Sequence, residues 1–117
     1  NIAGTAGLRA ALELLLEIGI ENIAAELLRK RASAVPRLQA AGWEALHHAA
    51  PEANRGGMYS LTKAGVDLPV LHQKLAGKKI TTSLRTDRDG RRYLRLSPHF
   101  YNTDAELDTV LGQLADA

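Results

Sequence analysis

"YLRLSPHFYNTDAELDTVL", residues 93–111, joins a strand-like half to a helix-like half. Tyr93, Arg95 and Ser97 alternate with Leu94 and Leu96, the period of two expected of a strand with one buried face. With the leucines facing a core, Arg95 projects from the opposite side. "TDAE" at 103–106 has the spacing of a capping box, in which Thr103 and Glu106 satisfy each other's backbone amides. Leu107, Val110, Leu111 and Leu114 then recur at helical spacing. Between the two elements lie Pro98, His99, Phe100, Tyr101 and Asn102. The chain has one Trp, one Phe and three Tyr, so a junction holding Phe100 and Tyr101 concentrates scarce aromatic material.

Upstream, "KITTSLRT" (79–86) and "RRYLRLS" (91–97) alternate on either side of "DRDG", which predicts a β-hairpin closed by Asp-Gly turn chemistry. Asp67 is placed to cap a helix carrying Leu68, Val70, Leu71 and Leu75, with Pro69 tolerated in the first turn and Gly77 closing it. "MYSLTK" (58–63) alternates as a strand, and "WEALHHA" (43–49) is a short apolar run that we read as another. "PEANRGG" between them is a loop ending in a tight turn.

The N-terminal third is helical. Leu8, Leu12, Leu15 and Leu16 form a stripe typical of a buried face over residues 2–18, with Gly19 placed as a left-handed terminator. A second helix is expected from about Glu21 to Ala41, with Ile23, Leu27, Leu28, Val35 and Leu38 inward and "RKR" (29–31) as a solvated stripe. Pro36 lacks a backbone donor, so a kink or break is expected near residues 32–35. The order helix, helix, strand, strand, helix, strand, strand, helix predicts an α+β fold: a small, largely antiparallel sheet covered by helices on one face.

The 117 residues suit one domain, and 45% hydrophobic with 24% charged residues describes globular material able to bury a core. A net charge of +2 is too small to argue for nucleic acid or a membrane surface, and neither is expected as a partner. No apolar run reaches the roughly 18 residues that span a bilayer, and a cytoplasmic location is expected. With no cysteine, the chain has no disulfide, thiolate metal site or catalytic thiol. His47 and His48, read as strand neighbours, point to opposite faces, and His72 and His99 are distant in sequence, so no metal is expected. The chain starts without Met and enters a helical pattern at once, from which we expect a piece of a longer chain.

Residues 78–95 are locally basic, with Lys78, Lys79, Arg85, Arg88, Arg91, Arg92 and Arg95. Stacking aromatics are missing except for Tyr93, and Asp87 and Asp89 dilute the charge, so a solvated hairpin is favoured over a nucleic-acid surface. Arg95 stands apart because its planar fork suits bidentate carboxylate or phosphate recognition.

The opening stretch resembles the C-terminal signature of class V aminotransferases, the fold-type-I pyridoxal-phosphate enzymes that include cysteine desulfurases and the isopenicillin epimerase-like and kynureninase-like proteins. Members end with an Arg-x-Ser strand, a Tyr-Asn-Thr loop and a helix with acidic residues at its start. This chain shows Arg95, Ser97, Tyr101, Asn102, Thr103, Glu106 and Asp108 in that order. "RGGMYSL" is similar to the family's Arg-Ser-Gly strand entry. "NIAGTAGLRAALELLLEIGIENI" is similar to its entry into the small domain, although only Asn1 of the Gly-Thr-Pro-Asn tetrapeptide remains.

The resemblance implies that residues 1–117 are the C-terminal small domain, with the large domain that binds pyridoxal phosphate outside this chain. It implies an amino-acid substrate and a homodimer at full length. The Schiff-base lysine is expected upstream, since Lys30, Lys63, Lys74, Lys78 and Lys79 match no motif of that domain and read as solvated surface groups. No catalytic residue is then expected here, and the isolated chain is expected to be inactive. By the same resemblance Arg95 binds the substrate α-carboxylate, and Arg85, at the edge of the neighbouring loop, is a second substrate-binding residue. Desulfurases carry persulfide on a cysteine before the last strand, whereas "RTDRDGRR" here has none, leaving transamination, epimerisation or lyase chemistry. The alternative is a free-standing α+β binding module that uses the basic hairpin 78–95 for an anionic partner.

Overall fold

The computed structural model describes all 117 residues. Four helices and four strands follow one another as α1 (Ile2–Ile18), α2 (Ile20–Ala40), β1 (Glu44–Ala45), β2 (Tyr59–Thr62), α3 (Leu68–Gly77), β3 (Ser83–Thr86), β4 (Arg92–Leu96) and α4 (Asp104–Ala115), with a 3-10 turn at Glu52–Asn54. The sheet is antiparallel throughout, in the order β1-β2-β4-β3. The fold is α+β, as the sequence pattern predicts.

β4 is the strand on which the others align. Leu94 pairs with Leu61 on one side and Leu84 on the other, while Leu96 pairs with Tyr59. Directly opposed residues share a face, so Ala45, Tyr59, Leu61, Leu84, Leu94 and Leu96 all point to one side of the sheet. There they meet Ala34 and Leu38 of α2, Leu68, Leu71 and Leu75 of α3, and Leu107, Leu111 and Leu114 of α4 in one core. Trp43 closes its end, buried, with Nε1–H donating to the Leu114 carbonyl at 2.8 Å.

The helix ends obey local chemistry. Asp67 accepts from the Val70 amide at 3.1 Å. Thr103 and Glu106 form the reciprocal capping box, Glu106 N–H to Thr103 Oγ1 at 3.2 Å and Thr103 N–H to Glu106 Oε2 at 2.7 Å. Gly19 separates α1 from α2 at φ 90°, a conformation that a side chain would strain. Gly57 is required for a different reason: a Cβ there would lie 2.9 Å from Leu27 Cβ, so only glycine lets the segment before β2 approach α2 this closely.

Several expectations are corrected. α1 has no buried residue, and Leu8, Leu12 and Leu16 are 61%, 49% and 70% exposed. Its stripe is real, but within this chain the helix packs mainly against α2 and these three leucines stay outside the core. α2 runs unbroken through Pro36, because buried Ala34 and Leu38 hold the helix to the core on both sides of the proline. β1 stops at Ala45, and His47 sits in a turn at φ 56°, so the two histidines are not strand neighbours. Gly57 forms a bend rather than a tight turn. Gly77 is the last residue of α3 instead of its terminator, and Lys79 takes the left-handed conformation at φ 61°. No helix is long and apolar enough to cross a membrane.

Leu94→Ala, which empties the centre of the core, is expected to cost about 3 kcal/mol of stability. Thr103→Ala should cost about 1 kcal/mol through the lost cap, and Leu12→Ala on α1 less than about 0.5 kcal/mol. Urea denaturation of the three variants checks this ranking, and a large loss for Leu12→Ala would place α1 in the core.

Candidate functional site

The face of the sheet opposite the leucine core carries an arginine with no acidic partner. Arg95 is at its centre, with Ser60 directly across on β2 and Ser83 directly across on β3. Backbone pairing on both sides fixes the base of the Arg95 side chain, and the two serines are too short to crowd its fork. The side chain is half-buried, its Nε is enclosed with no hydrogen-bond partner, and no carboxylate lies within 4.0 Å. An enclosed donor left without a partner costs about 1–3 kcal/mol, so this arrangement gains from any acceptor that reaches it.

Arg85 lies on the same face, exposed, opposite Tyr93 on the neighbouring strand. Arg92 pairs with Thr86 and falls by alternation on the other face, and Arg91 reaches Glu44 at 3.4 Å across the surface. Among the basic residues of the hairpin, Arg92 thus stands apart from the face that carries Arg85 and Arg95. Tyr93 is buried and donates its hydroxyl to Asp87 Oδ2 at 3.1 Å. Burial, and then that donated bond, push its phenol pKa up. Asp87 Oδ1 also accepts from the Arg91 amide at 2.8 Å, which sets the hairpin turn.

The junction after β4 is tightly organised. Asn102 Oδ1 accepts from the His99 amide at 2.8 Å, and the Asn102 amide donates back to the His99 carbonyl at 3.1 Å. The His99 and Tyr101 rings stack at 4.6 Å, with Phe100 tilted against His99 and edge-on to Tyr101. His99 Nδ1 is enclosed with no partner. The Thr103 backbone amide, then its hydroxyl, hold the Glu106 carboxyl below its ordinary range, so the capping carboxylate stays ionised.

"RKR" is not a solvated stripe. Lys30 is 2% exposed and Arg31 7% exposed, because Ile23, Lys30, Arg31, Ala34 and Leu38 share the inward face of α2. That spacing was visible in the sequence and charge alone obscured it. Lys30 Nζ is paired with Glu26, whose other contacts run to Arg29, and Arg29 in turn binds Asp104 at 2.6 Å. The network ties α2 to the start of α4, beside the junction. Hydrogen bonds from Arg29 and then Lys30 hold the Glu26 pKa at about 2. Glu26 and then Asp104 push the Arg29 pKa upward. Arg31 donates from Nη1 to the carbonyls of Met58 at 2.9 Å and Gly56 at 3.3 Å.

No three His, Asp or Glu side chains gather in a way that could hold a metal. Among the lysines, Lys30 is tied to Glu26, Lys63 to the Ala117 carbonyl at 2.5 Å, and Lys78 to Gln113.

The sequence identifies the family to which this domain belongs. Residues 1–110 match the family model described as aminotransferase class-V, and the chain belongs to that family. Among solved structures it is similar to the apo cysteine desulfurase of Thermococcus onnurineus NA1, with a TM-score of 0.88 and 19% identity over 99% of this chain and 31% of that one. It is also similar to a NifS-like protein, with a TM-score of 0.81 and 23% identity over 99% of this chain and 33% of that one. The chain thus spans about a third of the length of both. A comparison with curated protein sequences finds no match.

The Glu26 carboxyl falls from an ordinary 4.5 to about 2 on folding. A depressed carboxyl stabilises fully above its unfolded pKa, and this contribution is lost as pH drops through 4.5 toward 2. Glu26→Gln is expected to lower the melting temperature at pH 7, and the gap from wild type should narrow steadily across that acid window. Thermal melts from pH 7 to pH 2 test it, and a constant gap would show that the Glu26 charge contributes nothing.

Proposed function

We propose that residues 1–117 are the C-terminal small domain of a pyridoxal-phosphate-dependent enzyme that acts on an amino acid, with Arg95 holding the substrate α-carboxylate. The observation that carries this reading is the Arg95 guanidinium: half-buried, without a carboxylate partner, and rooted in a strand paired on both edges. A guanidinium of that kind makes two charge-assisted hydrogen bonds to a carboxylate and fixes the orientation of the attached Cα. Arg85, on the same face, adds positive potential that draws the anionic end of the substrate to it. The ordered junction from His99 to Thr103 keeps the end of β4 from shifting as the substrate binds.

Lys30, Lys63 and Lys78 are tied within the domain, and Lys74 and Lys79 match no cofactor-lysine motif, so the remainder of the enzyme holds the cofactor. Pyridoxal phosphate, when bound there, supplies the electron sink. The exposed leucines of α1 are covered by that larger domain in an enzyme that is a cytoplasmic homodimer. With no cysteine in the chain, loop 85–92 has no thiol to carry sulfur, which favours transamination, epimerisation or lyase chemistry over desulfuration by that route.

In the full-length enzyme, Arg95→Ala is expected to lower kcat/KM on the order of 10²-fold, since each charged hydrogen bond contributes about 1.5–3 kcal/mol. Arg95→Lys should recover little, because an ammonium cannot reproduce the fork. Arg92→Ala, on the opposite face, is the control and should be nearly silent. Steady-state kinetics with parallel thermal melts decide it. Near-wild-type turnover for Arg95→Ala, or a collapsed melting temperature, would show the arginine to be structural.

A further inference from the structure

Arg31 has no role in the carboxylate site, and its surroundings are hard to explain as packing. It lies in the helix layer, with its guanidinium 5.8 Å from the centroid of the Tyr59 ring, whereas Arg95 is on the open face of the sheet. It is 93% removed from solvent, yet its partners are the two carbonyls at Gly56 and Met58, and no carboxylate lies within 4.0 Å. Both bonds use Nη1, which leaves Nε and Nη2 without a protein partner and still reached by solvent. A nearly buried cation without a counterion is unfavourable unless a partner charge completes it.

A second cation makes the imbalance worse. Arg31 lines a cavity of about 390 Å³ between α2 and the 48–55 segment, and Arg55 lines the same cavity. Arg55 Nε donates to the Ala50 carbonyl at 2.8 Å, which holds the side chain in place and leaves its terminal nitrogens free. The two are close enough that the charge of Arg55, after burial, lowers the pKa of Arg31. His48 adds a third polar group. Its Nδ1 donates to the Ala45 carbonyl at 3.0 Å, so Nε2 is the ring nitrogen left open. Glu52 is the acidic residue on the lining, and it comes within 4.0 Å of neither arginine. Leu28, Val35 and Pro36 supply an apolar wall.

We propose that this cavity binds a small-molecule oxyanion, a phosphate monoester or a carboxylate, between Arg31 and Arg55. The buried fork of Arg31 supplies direction, and the outer Arg55 supplies entry and the second half of the clamp. The cavity volume admits a molecule carrying the anion and not only the anion itself. The site stands independently of the role given to Arg95.

The test uses the full-length enzyme at constant ionic strength, with chloride as the balancing salt. Inorganic phosphate and succinate are titrated separately by isothermal calorimetry and by thermal melts. Saturable binding of either that persists in Arg95→Ala supports the proposal, and the stronger of the two identifies the anion. Arg55→Gln is surface-exposed and should keep the fold while weakening that binding at least tenfold, and Arg31→Lys should do the same by losing the fork. Arg92→Ala should leave it unchanged. Titrations indistinguishable from chloride would overturn the proposal, including the case in which a carboxylate from elsewhere in the enzyme fills the cavity. So would full affinity in Arg55→Gln.

Discussion

β4 is paired on both edges, and its residues must alternate between a leucine core and an open face. That single constraint organises the domain. Leu94 and Leu96 draw α2, α3 and α4 onto one side. Arg95, between them, has no choice but to project from the other. A one-residue slip would exchange the two sets, burying a guanidinium among leucines, so the core that stabilises the fold also determines where the arginine stands. Stability and the presentation of Arg95 are therefore properties of the same five residues.

Charge in this domain is distributed by helix geometry as much as by solvent. Lys30 and Arg31 lie on the inward face of α2 because they fall in the same helical stripe as Ile23, Ala34 and Leu38. The consequences differ. Lys30 finds Glu26, and through Arg29 and Asp104 the pairing extends to the start of α4. Arg31 finds carbonyls, the Tyr59 ring and a like-charged neighbour, and no carboxylate. The first arrangement braces the junction beneath Arg95. The second leaves an electrostatic deficit between α2 and the 48–55 segment.

Much of the fold was legible because short-range signals agreed with long-range packing. The alternation of 93–97, the capping box at 103–106 and the cap at Asp67 each appear where the pattern places them. The misreadings share a physical origin: local chemistry overridden by partners that sequence does not show. Pro36 stays helical because its neighbours are pinned, and the α1 leucines stay exposed because this chain supplies nothing to cover them. At the candidate site, the face of Arg95 was readable from period two. Its unpartnered Nε was not, since that depends on residues from β2 and β3 brought together by pairing. Arg31 was hidden for the opposite reason, because a run of three basic residues reads as solvated until helical phase is applied to each separately.

The central claim is that the alternation of β4 delivers one unpaired guanidinium to a substrate carboxylate. The most direct measurement is a crystal structure of the full-length enzyme with an amino-acid substrate analogue bound. The account predicts two hydrogen bonds of about 2.7–2.9 Å from the Arg95 fork to the α-carboxylate, with Leu94 and Leu96 unmoved in the core. A carboxylate held by other residues while Arg95 faces solvent would contradict it.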